Sequence, residues 1–120
     1  MVLADTSVWI SHLREGNVGL ETLLDDGHVV CHPFIIGEIA CGNLKNRSEI
    51  LSLLHVLPMI IHAEHEEVMQ FIDDYRLMGK GLGYIDMHLL SSAILSKISL
   101  WTFDKRLQEV SVKLGLDFSY

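Results

Sequence analysis

Positive charge is scarce in this chain. Of its 120 residues nine are Lys or Arg, against sixteen Asp or Glu, and the formal net charge is −7. A protein that gathers nucleic acid through bulk positive charge is excluded, because the field of such a chain repels phosphate. Proline is rarer, at two, and no Gly-, Ser- or Pro-rich stretch divides the chain. With no linker or repeat visible, residues 1–120 read as a single domain, of a common size for one. Cysteine is limited to Cys31 and Cys41. Small secreted domains are denser in cysteine, so both are read as buried thiols in a reducing cytoplasm. Long hydrophobic runs are missing too. The longest, Val56–Ile61, contains Pro58 and falls far short of the roughly 20 residues that span a bilayer. Met1–Asp5 has no basic stretch before its apolar residues, and Asp5 interrupts them, so it makes a poor signal peptide.

What the chain does have is apolar content, at 49%. That is enough to offset chain entropy and exclude disorder. Short apolar runs alternate with helical patterns. Val2–Ala4 reads as a strand, and Ser7 as the cap of a helix with Trp9, Ile10 and Leu13 on its apolar face. Asn17 caps a second helix that stops before Gly27. His28–His32 reads as a buried strand. Pro33 opens a helix packed by Phe34, Ile35, Ile36 and Ile39. Asn46 or Ser48 starts the next, and Pro58–Ile61 is a third strand. A helix over about Ala63–Leu77, the loop Gly79–Gly83 and an apolar helix over about Tyr84–Lys97 follow. The chain closes with a strand at Ser99–Phe103, a helix at Lys105–Leu114 and an edge strand at Asp117–Ser119. This order predicts an α/β fold, a central parallel sheet flanked by helices on both faces.

Four carboxylates stand apart. Asp5 and Asp104 directly follow strands, where open parallel sheets bind their ligands. Thr102 shares the face of Asp104. Glu38 falls among Phe34, Ile35, Ile39 and Ala40, and Asp86 opens the most apolar helix. A carboxylate on an apolar face is costly unless paired or metal-bound. The remaining acids come mostly in runs, as solvated faces do. Structural alternatives stay open: Asp86 as a first-turn residue favoured by the helix dipole, Asp5 as a helix cap in place of Ser7, Glu38 paired with Arg47 or Lys45. Taken together, an all-oxygen cluster suits Mg²⁺ or Mn²⁺.

The segments around these residues resemble PIN-domain ribonucleases, and within them the VapC-type toxins of bacterial toxin–antitoxin pairs. The resemblance is carried by Asp5-Thr6-Ser7, His32-Pro33-Phe34, Gly37-Glu38-Ile39-Ala40, Gly83-Tyr84-Ile85-Asp86-Met87-His88 and Trp101-Thr102-Phe103-Asp104-Lys105-Arg106. They run in family order from one end of the chain to the other. It implies a three-layer PIN fold and a metal-dependent endoribonuclease that cuts structured RNA, often tRNA, and so inhibits translation. It implies one or two Mg²⁺ or Mn²⁺ ions held by Asp5, Glu38, Asp86 and Asp104, with helper hydroxyls at Thr6 or Ser7 and at Thr102. A homodimer and a cognate VapB-type antitoxin are implied as partners. Phe103 stands where relatives more often carry a basic residue.

The expected chemistry is phosphodiester hydrolysis, with activation of water and stabilisation of the leaving oxygen by metal, leaving a 5′-phosphate. Arg14, Lys45, Arg47, Lys80, Lys105 and Arg106 lie near the carboxylate segments in sequence and are the candidates for an RNA-binding rim. His12 and His88 are weaker site candidates, and His62 with His65 lacks a third metal ligand. A receiver domain needs an Asp after the third strand, where Ile60-Ile61-His62 stands. A haloacid-dehalogenase-type phosphatase needs Asp where Ser7 is, and Gly79–Gly83 is not a Walker loop. An inactive PIN-type binding module remains the main alternative.

Overall fold

The computed structural model describes residues 1–119. Its centre is β1 (Val2–Ala4), flanked by β2 (Val29–Val30) and β3 (Ser99–Trp101), all parallel in the order β2-β1-β3. Every residue of β1 and β2 is buried, which is why these strands read as unbroken apolar runs rather than alternating ones. The register pairs Leu3 with both Val30 and Leu100.

Two of the expected strands shrink to single bridges. Met59 pairs with Cys31 beyond β2, and Asp117 pairs with Leu100 beyond β3. Each makes few ladder bonds, such as Cys31 N–H to Pro58 O (2.8 Å) and Leu100 N–H to Leu116 O (2.7 Å). They lie at the two sheet edges and extend the pairing order to 59, β2, β1, β3, 117.

The helices are α1 (Thr6–Glu15), α2 (Val18–Asp25), α3 (Pro33–Ala40), α4 (Arg47–Val56), α5 (His65–Asp74), α6 (Tyr84–Ser96) and α7 (Lys105–Lys113). Together with the sheet they form the expected three-layer α/β architecture. α6 buries every residue from Met87 to Ala93, so it is enclosed by neighbours all round. It stops at Lys97, which adopts the left-handed conformation (φ 55°). α5 is shorter than the expected helix at both ends: Glu67 accepts from Glu64 N–H (3.0 Å) at its start, and Tyr75 caps its end. Cys31 is buried, and burial pushes its thiol up to about 11. Cys41, expected to be buried, is exposed at the end of α3.

Candidate active site

Chain order places the first crossover from β1 to β2 and the last pairing at β3, on the other side of β1. The strand order therefore reverses between β1 and β3, and ligands in open parallel sheets bind at such a reversal, beyond the strand carboxyl ends. Asp5 sits there. Its backbone N–H donates to Trp101 O (2.9 Å), which carries the β1–β3 pairing one residue past the strand and holds Asp5 against the end of β3.

The Asp5 side chain is buried and fully engaged. Oδ1 accepts from the backbone N–H groups of Ser7 (3.0 Å) and Val8 (3.4 Å) and from the Ser7 hydroxyl. Oδ2 accepts from the Thr102 hydroxyl (2.7 Å). Asp5, not Ser7, is thus the cap of α1. Burial pushes the Asp5 carboxyl above the usual carboxylate range, and the hydrogen bonds from Ser7, Thr102 and Val8 pull it part of the way back. Ser7 and Thr102 each work in two directions. The Ser7 hydroxyl also accepts from Phe103 N–H (2.9 Å), and the Thr102 hydroxyl from Asp104 N–H (3.0 Å). These two bridges tie Asp5 to the loop that carries Asp104.

The other three acids are more exposed than their sequence setting suggests. α3 buries Ile35, Ile36 and Ile39, while Glu38 is exposed beside Phe34 and Gly37. It pairs with neither Arg47 nor Lys45. Its Oε1 accepts from the Thr6 hydroxyl (2.7 Å), next to Asp5 in the chain. Asp86 is half-buried, and its Oδ2 accepts from Gly83 N–H (3.0 Å), closing the start of α6 as the helix-dipole alternative anticipated. Asp104 is exposed and caps α7, accepting from Leu107 N–H (2.9 Å). Glu38 shares a recess of about 320 Å³ with Phe34, Gly37 and Ile85, so it faces the first turn of α6, where Asp86 follows.

Each of Glu38, Asp86 and Asp104 keeps one carboxylate oxygen outside these bonds. The donor set is all oxygen and suits a hard divalent cation. Among the described residues, no three acidic, His or Cys side chains are gathered closely enough to hold an ion as they stand. Binding one would require Glu38, Asp86 and Asp104 to turn their free oxygens inward, which the exposure of Glu38 and Asp104 permits and the half-burial of Asp86 leaves room for.

The basic candidates divide. Arg106 lies over Gly81, whose φ of +79° and missing Cβ leave room for the guanidinium: a Cβ there would stand 2.8 Å from Arg106 Nη1. That contact joins the start of α7 to the loop carrying Lys80 and leading to Asp86. Arg47 is occupied otherwise, donating twice to Ala40 O (3.0 and 2.9 Å) at the end of α3. Arg14 is nine residues along α1 from Asp5, about 13 Å at helical rise, and His12 holds the α1–α2 turn by accepting from Asn17 N–H (3.1 Å). The sequence reading missed His32. It caps α3, its Nδ1 accepting from Phe34 N–H (3.0 Å), and burial with His62 and His88 nearby lowers it to about 4. A His directly before a Pro at a strand–helix junction was the available signal.

The PIN domain family profile matches residues 2–113. The chain belongs to the PIN-domain family. Two relatives, both named Ribonuclease VapC32 and from the CDC 1551 / Oshkosh and H37Rv strains of Mycobacterium tuberculosis, are each 43% identical over 117 residues. That alignment covers 97% of this chain and 94% of each relative, and puts the chain in the VapC branch of the PIN family. The crystal structure of PAE2754 from Pyrobaculum aerophilum superposes with a TM-score of 0.60 at 15% identity, covering 95% of this chain and 88% of that one. At that identity the likeness shows the fold alone. The receiver-like reading of the PIN chain falls with these findings. No helix among the described residues is long and apolar enough to cross a membrane.

Proposed function

We propose that this PIN-domain protein is a Mg²⁺- or Mn²⁺-dependent endoribonuclease. On this reading it cuts structured RNA in the cytoplasm, tRNA first among the candidates, and thereby inhibits translation. A cognate VapB-type antitoxin neutralises it. The observation that supports the reading is the buried Asp5 at the β1–β3 reversal, bridged by two hydroxyls to the Asp104 loop, with its neighbour Thr6 bonded to Glu38. The names of the VapC relatives support it.

Asp5, Glu38, Asp86 and Asp104 would hold one or two ions. The chemistry such ions supply when bound is activation of water and stabilisation of the leaving oxygen. The chain's own part is preparation. Thr102 and Ser7 donate to Asp5, favouring its ionised form against the effect of burial, and they fix the rotamer in which it meets a ligand. Thr6 donates to Glu38 and holds its orientation. Lys80, Lys105 and Arg106 offer phosphate contacts to an otherwise acidic chain. The groove between α1, α2 and α4, about 510 Å³ and lined by Trp9, Leu13, Leu24, Ile50, Leu53 and Leu57, suits an apolar antitoxin segment, and a homodimer is also proposed.

One observation favours a second reading, a PIN-type binding module without catalysis: all four acids have structural hydrogen bonds. Incubation of the purified protein with total RNA, in Mg²⁺ or in excess chelator, decides between them. Discrete cuts that need Mg²⁺ and leave 5′-phosphates support the nuclease. No cut in any RNA supports the module.

A further inference from the structure

We propose that a second recess, bounded by His32, Phe34, His62, His65, Tyr84 and His88, receives one unpaired nucleobase of the RNA and grips its edge through His32 Nε2. This rests on the ribonuclease reading and names the part of the substrate held beside the cut.

The recess has a volume of about 310 Å³, at the small end of the ligand-pocket range and ample for one base. Its walls are rings. Phe34 and Tyr84 stand edge-on to His88 at centroid distances of 4.7 and 4.5 Å, and His65 lies 5.6 Å from Tyr84. His65 Nδ1 also bonds the Tyr84 hydroxyl at 2.6 Å, fixing that ring at the rim. Unpaired bases are held by stacking on such rings.

The polar groups inside are specific. His32 is 1% exposed. Its Nδ1 accepts from Phe34 N–H, so in the neutral ring the proton lies on Nε2. Nε2 is buried and without a partner, as is Nδ1 of His88. His32 lines the recess, and its Nε2 is a fixed donor with nothing to donate to. The same tautomer leaves His32 Nε2 no lone pair for a metal, in keeping with the lack of any metal-ready group among the described residues. A phosphate fits no better. No Lys or Arg lines the recess, and Glu64 does. A neutral, ring-walled pocket with one buried donor calls for a planar heterocycle with an acceptor on its edge.

Its position suits that role. Pro33 and Phe34 line both this recess and the one holding Glu38. Tyr84 and His88 lie two residues on either side of Asp86. The shared wall of Pro33 and Phe34 puts a base seated here next to the recess that holds Glu38.

The test is titration of the full chain, in chelator, with each of the four ribonucleoside 5′-monophosphates and with ribose 5-phosphate. Imidazole proton–nitrogen spectra supply the readout. At least one nucleotide should shift the His32 and His88 ring signals, and ribose 5-phosphate should not. His32→Asn keeps an acceptor for Phe34 N–H and removes the ring with its Nε2 donor, its own amide N–H₂ lying nearer the backbone. It and Tyr84→Ala should each weaken that nucleotide about tenfold. If His32→Asn does not fold, Tyr84→Ala, at a 44% exposed position, carries the comparison. Absent shifts, shifts equal to those from ribose 5-phosphate, or unchanged affinity in Tyr84→Ala would overturn the proposal. Cleavage of RNA without nucleotide binding would sink the pocket alone, whereas binding without any cleavage would sink the nuclease reading and leave the pocket standing.

Discussion

Replacing Thr102 by Val removes one hydroxyl at nearly constant shape, and besides a longer contact to the Ser7 hydroxyl (3.4 Å) the structure assigns that hydroxyl two close partners. It donates to Asp5 Oδ2 at 2.7 Å and accepts from Asp104 N–H at 3.0 Å, in a side chain that is 5% exposed. A bond to a charged group contributes about 1.5–3 kcal/mol, and a part-buried N–H left without a partner costs about 1 kcal/mol. The expected loss is therefore about 3 kcal/mol, which for a domain of this size lowers Tm by roughly 10 °C. Urea denaturation at pH 7 measures it as a fall in the midpoint with an unchanged slope. A second readout is specific to the bridge. The lost bond favoured ionised Asp5, so carbon NMR should show the Asp5 carboxyl titrating higher in the variant. A loss below about 0.5 kcal/mol, with the Asp5 titration unmoved, would refute the view that Thr102 holds Asp5 and the Asp104 loop together.

Asp5→Asn should abolish RNA cleavage yet stabilise the fold at pH 7. The folded-state carboxyl titrates above its unfolded value, so Asp5 favours folding at low pH and that contribution is lost as pH rises through the folded value. The gain in Asp5→Asn should accordingly vanish by about pH 4, the unfolded Asp range, and lower stability at pH 7 would contradict it. His32 acts with the opposite sign. Its folded value of about 4 lies below that of the unfolded chain, so acidification protonates the unfolded chain first and stability falls, by up to about 3 kcal/mol, between pH 6.5 and 4. His32→Asn should flatten that limb of the stability–pH curve relative to wild type, and an identical slope would count against the assignment. Gly81→Ala forces a side chain into φ +79° and against Arg106. It should cost about 1 kcal/mol in thermal unfolding and weaken RNA binding in a filter assay, and unchanged binding would remove Arg106 from the rim.

The parallel sheet was legible because β1 and β2 are buried on both faces and read as plain apolar runs. The edge strands at Met59 and Asp117 were legible in place but not in length, since apolar content says nothing of how many ladder bonds an edge segment makes. Asp5 and Asp104 were legible as strand-end acids. Glu38 was placed on an apolar face because α3 is apolar nearly all round, with Phe34 and Ala40 outside the Ile35–Ile36–Ile39 stripe, so periodicity alone could not set its phase. The histidine recess was invisible for a different reason. His32, His62, His65 and His88 come from three separate parts of the chain, and only the packing of α3 against α6 and the segment before α5 brings them together. The acidity itself gains a meaning: four of the excess negative charges belong to the proposed ion site, so RNA binding should depend on metal.

The central claim is that Asp5, Glu38, Asp86 and Asp104 converge on a divalent ion, although in the structure each is held by a neighbour. Titration of the purified protein with Mn²⁺, read by electron paramagnetic resonance, tests it without needing the RNA. The account predicts saturable uptake of one or two ions by the wild type. It also predicts marked weakening in each of Asp5→Asn, Glu38→Gln, Asp86→Asn and Asp104→Asn. Uptake by the four variants equal to that of the wild type, or no saturable uptake at all, would contradict it.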